Sequence, residues 1–337
     1  MRAMVLEGGS GLDHLKPAER PVPTAGPGQV VVKLQAASIN YRDLATVMAP
    51  MMAAGRPALI PLSDGAGVIS EVGAGVTRVK VGDLVMPSFF PNWQSGDPSP
   101  EGLFGALGGQ ADGCAQEYIC LSAEAVTKAP AHFDARQAAT LPCAGLTAWR
   151  ALVVEGGIKA GDTVLVQGTG GVSIFALQFA KMAGARVIVT SSSDEKLEKA
   201  RALGADEFIN YKTTPDWAKE ARQLTGGRGV DHVVEVGGAD TLRQSFSAAC
   251  IGGRIAVIGV LGGYVKDLSV PEIFGRNLRI TGVTVGSRAH CEDMVRAIEV
   301  AGLQPVIDRS FPLEGLPEAL GLMAQGGHFG KVVIDIS

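Results

Sequence analysis

Continuous apolar runs alternate with stretches of helical period in the second half of the chain. Three of the apolar runs are Thr163–Gln167, Arg186–Thr190 and Leu278–Val285. Two of the stretches with helical period are Val172–Met182 and Asp194–Leu203. Strands that are apolar along their whole length are typical of a parallel sheet with helices on both faces. The pattern predicts an α/β domain, a doubly wound Rossmann fold with a six-stranded parallel sheet.

The first part of the chain carries shorter apolar runs that are bounded by glycine. This pattern predicts strands of a β-rich domain at Gln29–Ala36, Gly65–Val72 and Asp83–Pro87. The C-terminal part predicts helices and a last strand, Lys331–Ile336, which we expect to return to the first domain. The predicted organisation is a β-rich domain at 1–125, the Rossmann domain at 126–287 and the return segment at 288–337.

Composition narrows the possible partners and the compartment. The formal net charge of −4 comes from interspersed acids and bases, which argues against nucleic acid. We find no run of about 18 apolar residues that could span a membrane and no secretory signal. The five cysteines are scattered, and we interpret them as reduced thiols of a cytoplasmic protein rather than as disulfides.

The turn after Thr163–Gln167 carries the candidate phosphate-binding residues. It reads Gly168-Thr169-Gly170-Gly171-Val172-Ser173 and opens an amphipathic helix. In the G-x-G-x-x-G fingerprint, the first glycine permits the tight turn and the second lets the pyrophosphate approach the backbone. The helix amino terminus then offers free N–H groups to the phosphates. A purely structural glycine turn is the alternative, which the alternating units downstream disfavour.

The end of the second Rossmann strand bears on the choice between NAD and NADP. NAD sites hold the ribose 2′-hydroxyl with an Asp or Glu about 20 residues after the glycine turn. Here Ser191, Ser192 and Ser193 follow the strand, with Lys196 on the next helix. Hydroxyl donors and a cation suit a 2′-phosphate, so the sequence favours NADP(H). The alternative is that Ser193 only caps the helix and that Lys196 is solvated.

Several further segments carry a family resemblance along essentially the whole chain. They are Gly28–Val30, Ser38–Asp43, Pro61–Gly67, Val81–Asp83, Leu141–Ala148, Gly168–Ser173 and Gly330–Val333. With these segments the chain resembles the medium-chain dehydrogenase/reductase superfamily, which contains zinc alcohol dehydrogenases and zinc-free quinone oxidoreductases. The resemblance implies a GroES-like β-rich catalytic domain, built from both chain ends, with the Rossmann domain inserted.

The chain departs from the zinc members of that superfamily at the metal ligands. Zinc members carry Gly-His-Glu where this chain has Leu62, Ser63 and Asp64, and their first ligand cysteine is replaced by Asn40. The last ligand position keeps Cys143. Because a catalytic zinc needs three protein ligands, the chain resembles the zinc-free branch, with no metal. We interpret Cys143 as a packed thiol, with a reactive thiol near the cofactor as the alternative.

The resemblance implies candidate catalytic residues in the β-rich domain. In zinc-free members the asparagine at the position of Asn40 lines the cleft by the nicotinamide. Tyr41 is the neighbouring hydrogen-bond donor and a candidate proton donor, and Ser63 stands where a metal ligand would be. We therefore take Asn40, Tyr41 and Ser63 as the candidate catalytic residues. Asp43 and Asp64 are interpreted as groups that orient the adjacent arginine and nearby backbone.

Cofactor contacts are also implied outside the glycine turn. Tyr211 stands where family members stack an aromatic ring near the adenine ribose; a surface turn residue is the alternative. The other implied positions close the fourth and fifth Rossmann strands or resemble family positions near the nicotinamide and phosphates: Val236, Gly237, Gly259, Val260, Ser287, Arg288, Phe329 and Lys331.

The predicted function follows from the resemblance and the missing metal ligands. Without zinc, a carbonyl must be polarised by hydrogen-bond donors or water. We expect an NADPH-dependent reductase of quinones, enones or small carbonyls that works by direct hydride transfer. A zinc-independent alcohol dehydrogenase is one alternative. A non-enzymatic NADPH-binding protein of the same fold is another, because fold alone does not determine function.

The last apolar run predicts self-association. Leu278–Val285 is expected at the edge of the sheet, where unpaired N–H and C=O groups can pair with another chain. Family members pair this strand across a two-fold axis, so we expect a homodimer. The alternative is an edge that the chain's own return segment covers.

A long aromatic loop bears on the substrate. Phe89–Gly113 lacks any period and any cysteine, so it cannot carry the structural zinc of the family. Its rings are Phe89, Phe90, Trp93 and Phe104. We predict that Phe90 or Trp93 reaches the substrate pocket and favours flat apolar acceptors. The alternative is that the rings hold the loop to its own domain.

Overall fold

The computed structural model describes residues 1–49, 57–263 and 268–336. Its strands are β1 (Arg2–Glu7), β2 (Leu15–Glu19), β3 (Gln29–Ser38), β4 (Ala58–Leu59), β5 (Asp64–Val72), β6 (Leu84–Pro87), β7 (Tyr118–Ser122), β8 (Val126–Lys128), β9 (Thr163–Gln167), β10 (Arg186–Ser191), β11 (Glu207–Asn210), β12 (Val230–Glu235), β13 (Ala249–Val257), β14 (Arg279–Gly282), β15 (Ile307–Pro312) and β16 (Lys331–Asp335). Its α-helices are α1 (Tyr41–Met48), α2 (Pro100–Leu103), α3 (Ala135–Ala138), α4 (Leu146–Trp149), α5 (Gly171–Met182), α6 (Asp194–Ala202), α7 (Trp217–Leu224), α8 (Leu242–Ala248), α9 (Val270–Gly275), α10 (Arg288–Ala301) and α11 (Leu316–Ala324).

The chain divides into two compact units, here called the β-rich domain (1–146 and 285–337) and the Rossmann domain (147–284). The predicted boundary after residue 125 is wrong, because β8 pairs with β6 in the antiparallel sheet of the β-rich domain. The predicted boundary after residue 287 is also displaced: the β-rich domain resumes at Val285, so Ser287 belongs to it. The expected return of the C-terminal segment to the first domain is confirmed.

The Rossmann domain contains the predicted six-stranded parallel sheet within its described residues, with the order β11-β10-β9-β12-β13-β14. Central strands β9 and β12 are almost entirely buried because both faces of the sheet are covered; Leu165 and Val233, which lie opposite each other, are buried. Since all the strands run in one direction, the turns after β9, β10, β12 and β13 follow the same edge of the sheet. That edge carries most of the predicted cofactor residues.

Strand β14 ends the order of this sheet, as the sequence predicts for the run Leu278–Val285. The strand itself is shorter, Arg279–Gly282, and it pairs in parallel with β13. Val285 has a positive φ of 52°, a conformation that ends extended pairing in a β-branched residue.

The β-rich domain is built around the long strand β3. On one side β3 pairs antiparallel with β16, and on the other with β5. In the described residues, the sheet has the order β15-β16-β3-β5-β6-β8, with β7 also paired to β3, and a smaller sheet has the order β2-β1-β4. The pairing of β16 with β3 brings the C-terminal segment of the chain to the strand that precedes Asn40.

Between Ala135 and Val154 the chain forms four short helical pieces. Helix α3 is followed by a π-helical turn, Leu141–Gly145, then by α4 and a second π-helical turn, Arg150–Val154. Pro142 lies in the first of these turns, where its missing N–H and its ring disfavour regular α-helix. None of the described helices is long and apolar enough to cross a membrane.

Candidate active site

Three neighbouring strands of the β-rich domain bring four polar side chains to one end of its sheet. Asn40 follows β3, Ser63 and Asp64 stand at the start of β5, and Lys331 begins β16. Because β5 and β16 both run antiparallel to β3, both begin near the end of β3: Ser38 pairs with Asp64 on β5 and with Val333 on β16. We call Asn40, Ser63, Asp64 and Lys331 the polar cluster.

Hydrogen bonds connect the members of the polar cluster in sequence. Lys331 Nζ donates to Asn40 Oδ1 at 2.6 Å and to the carbonyl oxygen of Ile39 at 2.8 Å. Asn40 Nδ2 donates a long hydrogen bond of 3.4 Å to Ser63 Oγ. Ser63 Oγ in turn donates to Asp64 Oδ1 at 2.7 Å. An ammonium group and a carboxylate therefore stand at opposite ends of one hydrogen-bonded path.

The charges of the polar cluster are buried and compensate each other. Burial raises the pKa of Asp64, and the Lys331 ammonium opposes that shift. Burial lowers the pKa of Lys331, and Asp64 opposes it in turn. Ser63 and Asp64 are fully buried and Lys331 is 3 % exposed, whereas Asn40 is 8 % exposed. Ser63, predicted as a catalytic residue, is thus behind Asn40 and out of contact with solvent.

Asp43 orders the backbone under the cluster, as the sequence analysis expects. Its carboxylate accepts hydrogen bonds from the backbone N–H of Asn40 at 2.8 Å and of Ser63 at 3.2 Å. Arg42 Nη1 donates to the same carboxylate at 3.2 Å. Burial raises the pKa of Asp43, and Arg42 opposes the shift. The interpretation of Asp43 as an orienting group is therefore confirmed.

The long loop supports the cluster through backbone contacts that the sequence analysis missed. Leu62, directly before Ser63, is buried with a positive φ of 73°. A Cβ atom on Gly113 would lie 2.0 Å from the Leu62 carbonyl oxygen, and one on Gly108 would lie 2.6 Å from Leu62 backbone atoms. Arg42 Nη1 also donates to the carbonyl of Leu107 at 2.8 Å. Gly108 and Gly113 must therefore be glycines, because the loop backbone lies against the backbone of Leu62, the residue with the positive φ.

Two predicted residues of the β-rich domain lie outside the polar cluster. Tyr41 is in the first turn of α1 and is 48 % exposed. Phe329 is buried, and its backbone N–H donates to Asp308 Oδ1 at 3.2 Å. Neither makes a hydrogen bond to the cluster in the described structure. Tyr41 as proton donor and Phe329 as cofactor contact stay predictions.

The residues at the family's metal position do not fit a zinc ion. Asn40 Oδ1 and the Asp64 carboxylate are already engaged by Lys331, Ser63 and the backbone N–H of Cys143, which donates to Asp64 Oδ2 at 3.0 Å. Burial, followed by the charge of Asp64, raises the pKa of the Cys143 thiol. No group of three His, Cys, Asp or Glu side chains suited to a metal occurs in the part of the chain that the structure describes.

The glycine turn of the Rossmann domain fits a pyrophosphate. Gly168 has a positive φ of 71°, and Gly170 caps α5 without any side-chain hydrogen bond, which leaves the first N–H groups of the helix for an anion. Ser173 takes the third position of the fingerprint, and its Oγ donates to the carbonyl of Gln167 at 2.7 Å. This hydrogen bond joins helix α5 to strand β9, and the small side chain of Ser173 lets the two elements approach each other. The remaining predicted residues of this turn are Thr169, Gly171 and Val172.

The serines after β10 form a local hydrogen-bonded turn. Ser193 Oγ accepts from the backbone N–H of Lys196 at 3.4 Å and caps α6, as the alternative interpretation proposes. Ser191 Oγ accepts from the backbone N–H of Ser193 at 3.2 Å. Ser191 is buried and Ser192 is half-buried. The cap and a 2′-phosphate site are compatible, since the cap uses the Ser193 hydroxyl and the backbone N–H of Lys196.

The turn after β11 lies beside these serines. The backbone N–H of Tyr211 donates to the carbonyl of Ser191 at 3.0 Å, so the two predicted residues are neighbours. Asp194, the acid closest in sequence to the end of β10, accepts from Asn210 Nδ2 at 2.7 Å. The Asp194 carboxylate is therefore hydrogen-bonded to Asn210, the last residue of β11.

A buried carboxylate that the sequence analysis missed orders the turn after β12. Glu235 accepts hydrogen bonds from the backbone N–H of Gly237 at 2.8 Å, from that of Gly238 at 2.9 Å and from Thr241 Oγ1 at 2.5 Å. Gln167 Nε2 donates to its other oxygen at 2.7 Å. The signal was available in the sequence, because a glutamate in an apolar strand needs buried partners.

The turns after β12 and β13 lie against each other. A Cβ atom on Gly259 would be 2.4 Å from the carbonyl oxygen of Val236, and the N–H of Gly262 donates to the carbonyl of Gly237 at 2.6 Å. Val260 is exposed. The structure thus brings the predicted residues Val236, Gly237, Gly259 and Val260 together at the carboxyl edge of the sheet.

Ser287 and Arg288 have local roles in the β-rich domain. Ser287 caps α10, and its Oγ accepts from the backbone N–H of His290 at 3.3 Å. Arg288 forms ion pairs with Glu292 at 2.6 Å and with Glu124 at 3.2 Å. The Glu292 and Glu124 carboxylates compensate the charge of the Arg288 guanidinium. The cofactor contacts predicted for Ser287 and Arg288 stay predictions.

The aromatic side chains of the long loop pack within the β-rich domain. Trp93 is buried, its Nε1 donates to the carbonyl of Gly96 at 3.0 Å, and its ring meets His290 edge-on at 6.0 Å. Phe90 lies 6.3 Å from Trp93, whereas Phe104 is exposed. These contacts favour the alternative in which Phe90 and Trp93 hold the loop to its own domain.

Comparison with known proteins identifies the family. Residues 26–131 match the alcohol dehydrogenase GroES-like domain family, and residues 171–300 match the zinc-binding dehydrogenase family. A zinc-type alcohol dehydrogenase-like protein of Schizosaccharomyces pombe is 46 % identical over 100 % of this chain and 99 % of its own length. The chain belongs to the medium-chain dehydrogenase/reductase superfamily. The resemblance and the fold class predicted from the sequence are confirmed.

Solved structures of superfamily members agree with this assignment. A protein of Sinorhizobium meliloti described as an alcohol dehydrogenase superposes with a TM-score of 0.93 at 44 % identity, covering 99 % of this chain and 98 % of its own. A protein described as an NAD-dependent alcohol dehydrogenase has a TM-score of 0.90 at 38 % identity and covers 100 % of both chains. This chain, like these relatives, is an oxidoreductase of the alcohol dehydrogenase-like class, and it has a site for a nicotinamide dinucleotide.

Proposed function

We propose that the protein is an NADPH-dependent, zinc-independent oxidoreductase that reduces quinones, enones or small carbonyls by direct hydride transfer. The observation that carries the proposal is the hydrogen bond from Lys331 Nζ to Asn40 Oδ1, which puts a protein ammonium group among the side chains at the family's metal position. An amide donor that is supported by a cation can polarise a carbonyl without a metal.

The residues of the chain divide the work of this reaction. A bound reduced nicotinamide would supply the hydride for the electrophilic carbon, and water would supply the proton of the reduced product. Asn40 is the least buried member of the polar cluster and is proposed to donate a hydrogen bond to the substrate oxygen. The glycine turn and the amino terminus of α5 would hold the pyrophosphate.

The preference for NADPH is supported by the turn after β10. Ser191 and Ser192 end this strand, Lys196 follows on α6, and the carboxylate of Asp194 is bound by Asn210. One solved relative is described as NAD-dependent, so the preference needs its own test. We expect NADPH to bind more tightly than NADH in fluorescence titrations, and equal affinities would contradict the preference.

The reaction and the metal are tested on the same preparation. NADPH oxidation is followed with a panel of quinones, enones, aldehydes and ketones, and alcohol oxidation with NADP and NAD. Elemental analysis of tag-free protein should show far less than one zinc per chain. Stoichiometric zinc after dialysis against a chelator would contradict zinc independence, and the absence of turnover with every acceptor would favour a non-enzymatic NADPH-binding protein.

A zinc-independent alcohol dehydrogenase is the second candidate. The descriptions of the relatives from Schizosaccharomyces pombe and Sinorhizobium meliloti favour it, since both are named for alcohol dehydrogenase. Faster oxidation of alcohols than reduction of any carbonyl on the panel would select it over the reductase.

We also propose that the protein forms a homodimer through β14. This strand ends the described sheet, and Ile280 on it and Phe274 on the preceding helix α9 are exposed. Light scattering at micromolar concentration should give twice the chain mass of 34.8 kDa. A monomer mass would contradict the proposal. Ile280→Lys should shift the protein toward monomer, whereas Val22→Lys, at an exposed position of the β-rich domain, should not.

A further inference from the structure

The direction of each hydrogen bond in the polar cluster is determined by chemistry. The Lys331 ammonium can only donate, so the atom of Asn40 that it meets at 2.6 Å must be the amide oxygen. The amide NH₂ group then faces Ser63 Oγ. Ser63 has one hydroxyl proton, which goes to Asp64, so its oxygen accepts from Asn40. The orientation of the Asn40 amide, which is often ambiguous in proteins, is therefore set by Lys331 on one side and Ser63 on the other.

The members of the cluster then differ in how deeply they are buried. Asn40 is the most exposed member of the cluster, and Ser63, Asp64 and Lys331 are more deeply buried. The Lys331 ammonium also donates to the carbonyl of Ile39, which keeps it inside the fold. The three more deeply buried groups would therefore influence the reaction through Asn40.

We propose that Lys331 is a positioning residue that fixes the Asn40 side chain with its N–H group, rather than its carbonyl, as the group presented to the substrate oxygen. This inference rests on the proposed reduction of a carbonyl or quinone. It differs from the role that the family resemblance implies for Lys331, which is a contact near the cofactor. The class of substrate that fits is an acceptor whose oxygen gains negative charge during hydride transfer.

The physical benefit of the arrangement is a preoriented donor. A hydrogen-bond donor that is already held in place does not need to reorganise when charge develops on the substrate oxygen. The ammonium at the amide oxygen draws electron density from the amide and strengthens its N–H as a donor. Asp64 compensates the ammonium, so that the cluster holds a buried cation without a net charge.

The first experiment asks which atom of Asn40 acts. Asn40→Asp keeps the shape and an oxygen for Lys331 but removes the N–H donor, and Asn40→Ala removes the whole group. Loss of one such donor costs about 100-fold in kcat, so both variants should lose about that factor, with the Kd of NADPH unchanged. An Asn40→Asp enzyme with more than a tenth of the normal kcat would overturn the proposal. Asn277→Asp, at an exposed position of the Rossmann domain, is the matched control and should leave kcat unchanged.

The second experiment asks whether Lys331 acts through Asn40. Lys331→Met should lower kcat at least 10-fold, the scale of a positioning contact, and should leave the Kd of NADPH unchanged. Combined with Asn40→Ala it should lower kcat no further than Asn40→Ala alone, and Lys331→Arg should recover part of the loss. Weaker NADPH binding with unchanged kcat, or losses that multiply in the double variant, would overturn the proposal. Lys16→Met, at an exposed position on β2, is the control.

A third readout does not depend on activity. The chain has four asparagines, Asn40, Asn92, Asn210 and Asn277, so selective ¹⁵N-asparagine labelling gives few side-chain amide signals. The signal that Asn40→Ala removes should shift in Lys331→Arg and Lys331→Met, while the other three stay in place. An unchanged Asn40 signal in Lys331→Arg would overturn the positioning role even if Lys331→Met fails to fold. If no acceptor is turned over, the proposed function fails, whereas this readout still tests Lys331.

Discussion

The carboxyl edge of the Rossmann sheet and the polar cluster of the β-rich domain each contain a buried carboxylate, and the two carboxylates are satisfied in different ways. Glu235 is surrounded by neutral donors, most of which follow it directly in the chain, such as Gly237 and Thr241. Asp64 is part of a charged path that ends at Lys331, which comes from the last strand of the protein.

This difference separates two kinds of dependence on the fold. The turn around Glu235 is ordered by local hydrogen bonds, so it should form whenever β12 and its following helix form. The polar cluster exists only when β3, β5 and β16 have paired, because its members are brought together by that pairing. The first region should therefore respond to substitutions through local stability, and the second through the geometry of the site.

The largest expected effect is the loss of stability in Glu235→Ala. The substitution leaves the buried donors of Gly237, Gly238, Thr241 and Gln167 without an acceptor. Unsatisfied buried groups cost about 1–3 kcal/mol each, so we expect a loss of about 3 kcal/mol or more in the free energy of unfolding. Urea denaturation measures it, and Glu195→Ala, at an exposed position of the same domain, is the control. A loss below about 0.5 kcal/mol, the range of ordinary surface changes, would contradict the local network.

The next effect concerns the loop that supports the polar cluster. In Gly113→Ala the new Cβ atom would meet the Leu62 carbonyl, so we expect a loss of about 1–3 kcal/mol from overpacking. Because Leu62 precedes Ser63, kcat should fall as well. Gly321→Ala in helix α11 is the matched control, since no atom lies near its added Cβ, and it should not destabilise the protein. Unchanged stability and kcat in Gly113→Ala would show that the loop does not support the site.

A smaller effect is expected for cofactor binding. Lys196→Ala should weaken NADPH by about 1–2 kcal/mol, the scale of a hydrogen bond to a charged group, and leave NADH nearly unchanged. Fluorescence titration of both cofactors measures this selectivity. Lys199→Ala, on the same helix and paired with Glu195, should change neither affinity. A parallel loss for NADPH and NADH would place Lys196 away from the 2′-phosphate.

The smallest effect is a pH dependence of stability at the amino end of β9. His232 Nε2 lies 3.0 Å from Asp162 Oδ2, and burial lowers the pKa of His232 although Asp162 opposes the shift. The unfolded chain therefore binds a proton below the ordinary pKa of 6.5 while the folded protein resists it, so stability falls as the pH drops from 6.5 through the lowered value. Urea denaturation between pH 7.5 and about 5 should show this slope in the natural protein and a shallower slope in His232→Gln. His132→Gln, at an exposed position, should keep the natural slope.

Local pattern determined much of this protein. Apolar runs and helical periods predict the Rossmann sheet, and the order of its strands follows from the rule for doubly wound sheets. The glycine turn, the serines after β10 and the pair Val236 and Gly237 could be located because each follows a strand, and parallel strands place those turns along one edge. The cap formed by Ser193 was also predictable, since capping depends on residues within one turn of helix.

Tertiary structure alone decided the polar cluster and the end of the first domain. Nothing local to Lys331 indicates that its ammonium lies against Asn40, and nothing local to Gly113 indicates that it meets Leu62. Strand β8 was assigned to the wrong domain for the same reason, since its partner β6 is distant in sequence. Periodicity reports which face of an element is buried, whereas the identity of the group that covers it depends on the pairing of strands far apart in the chain.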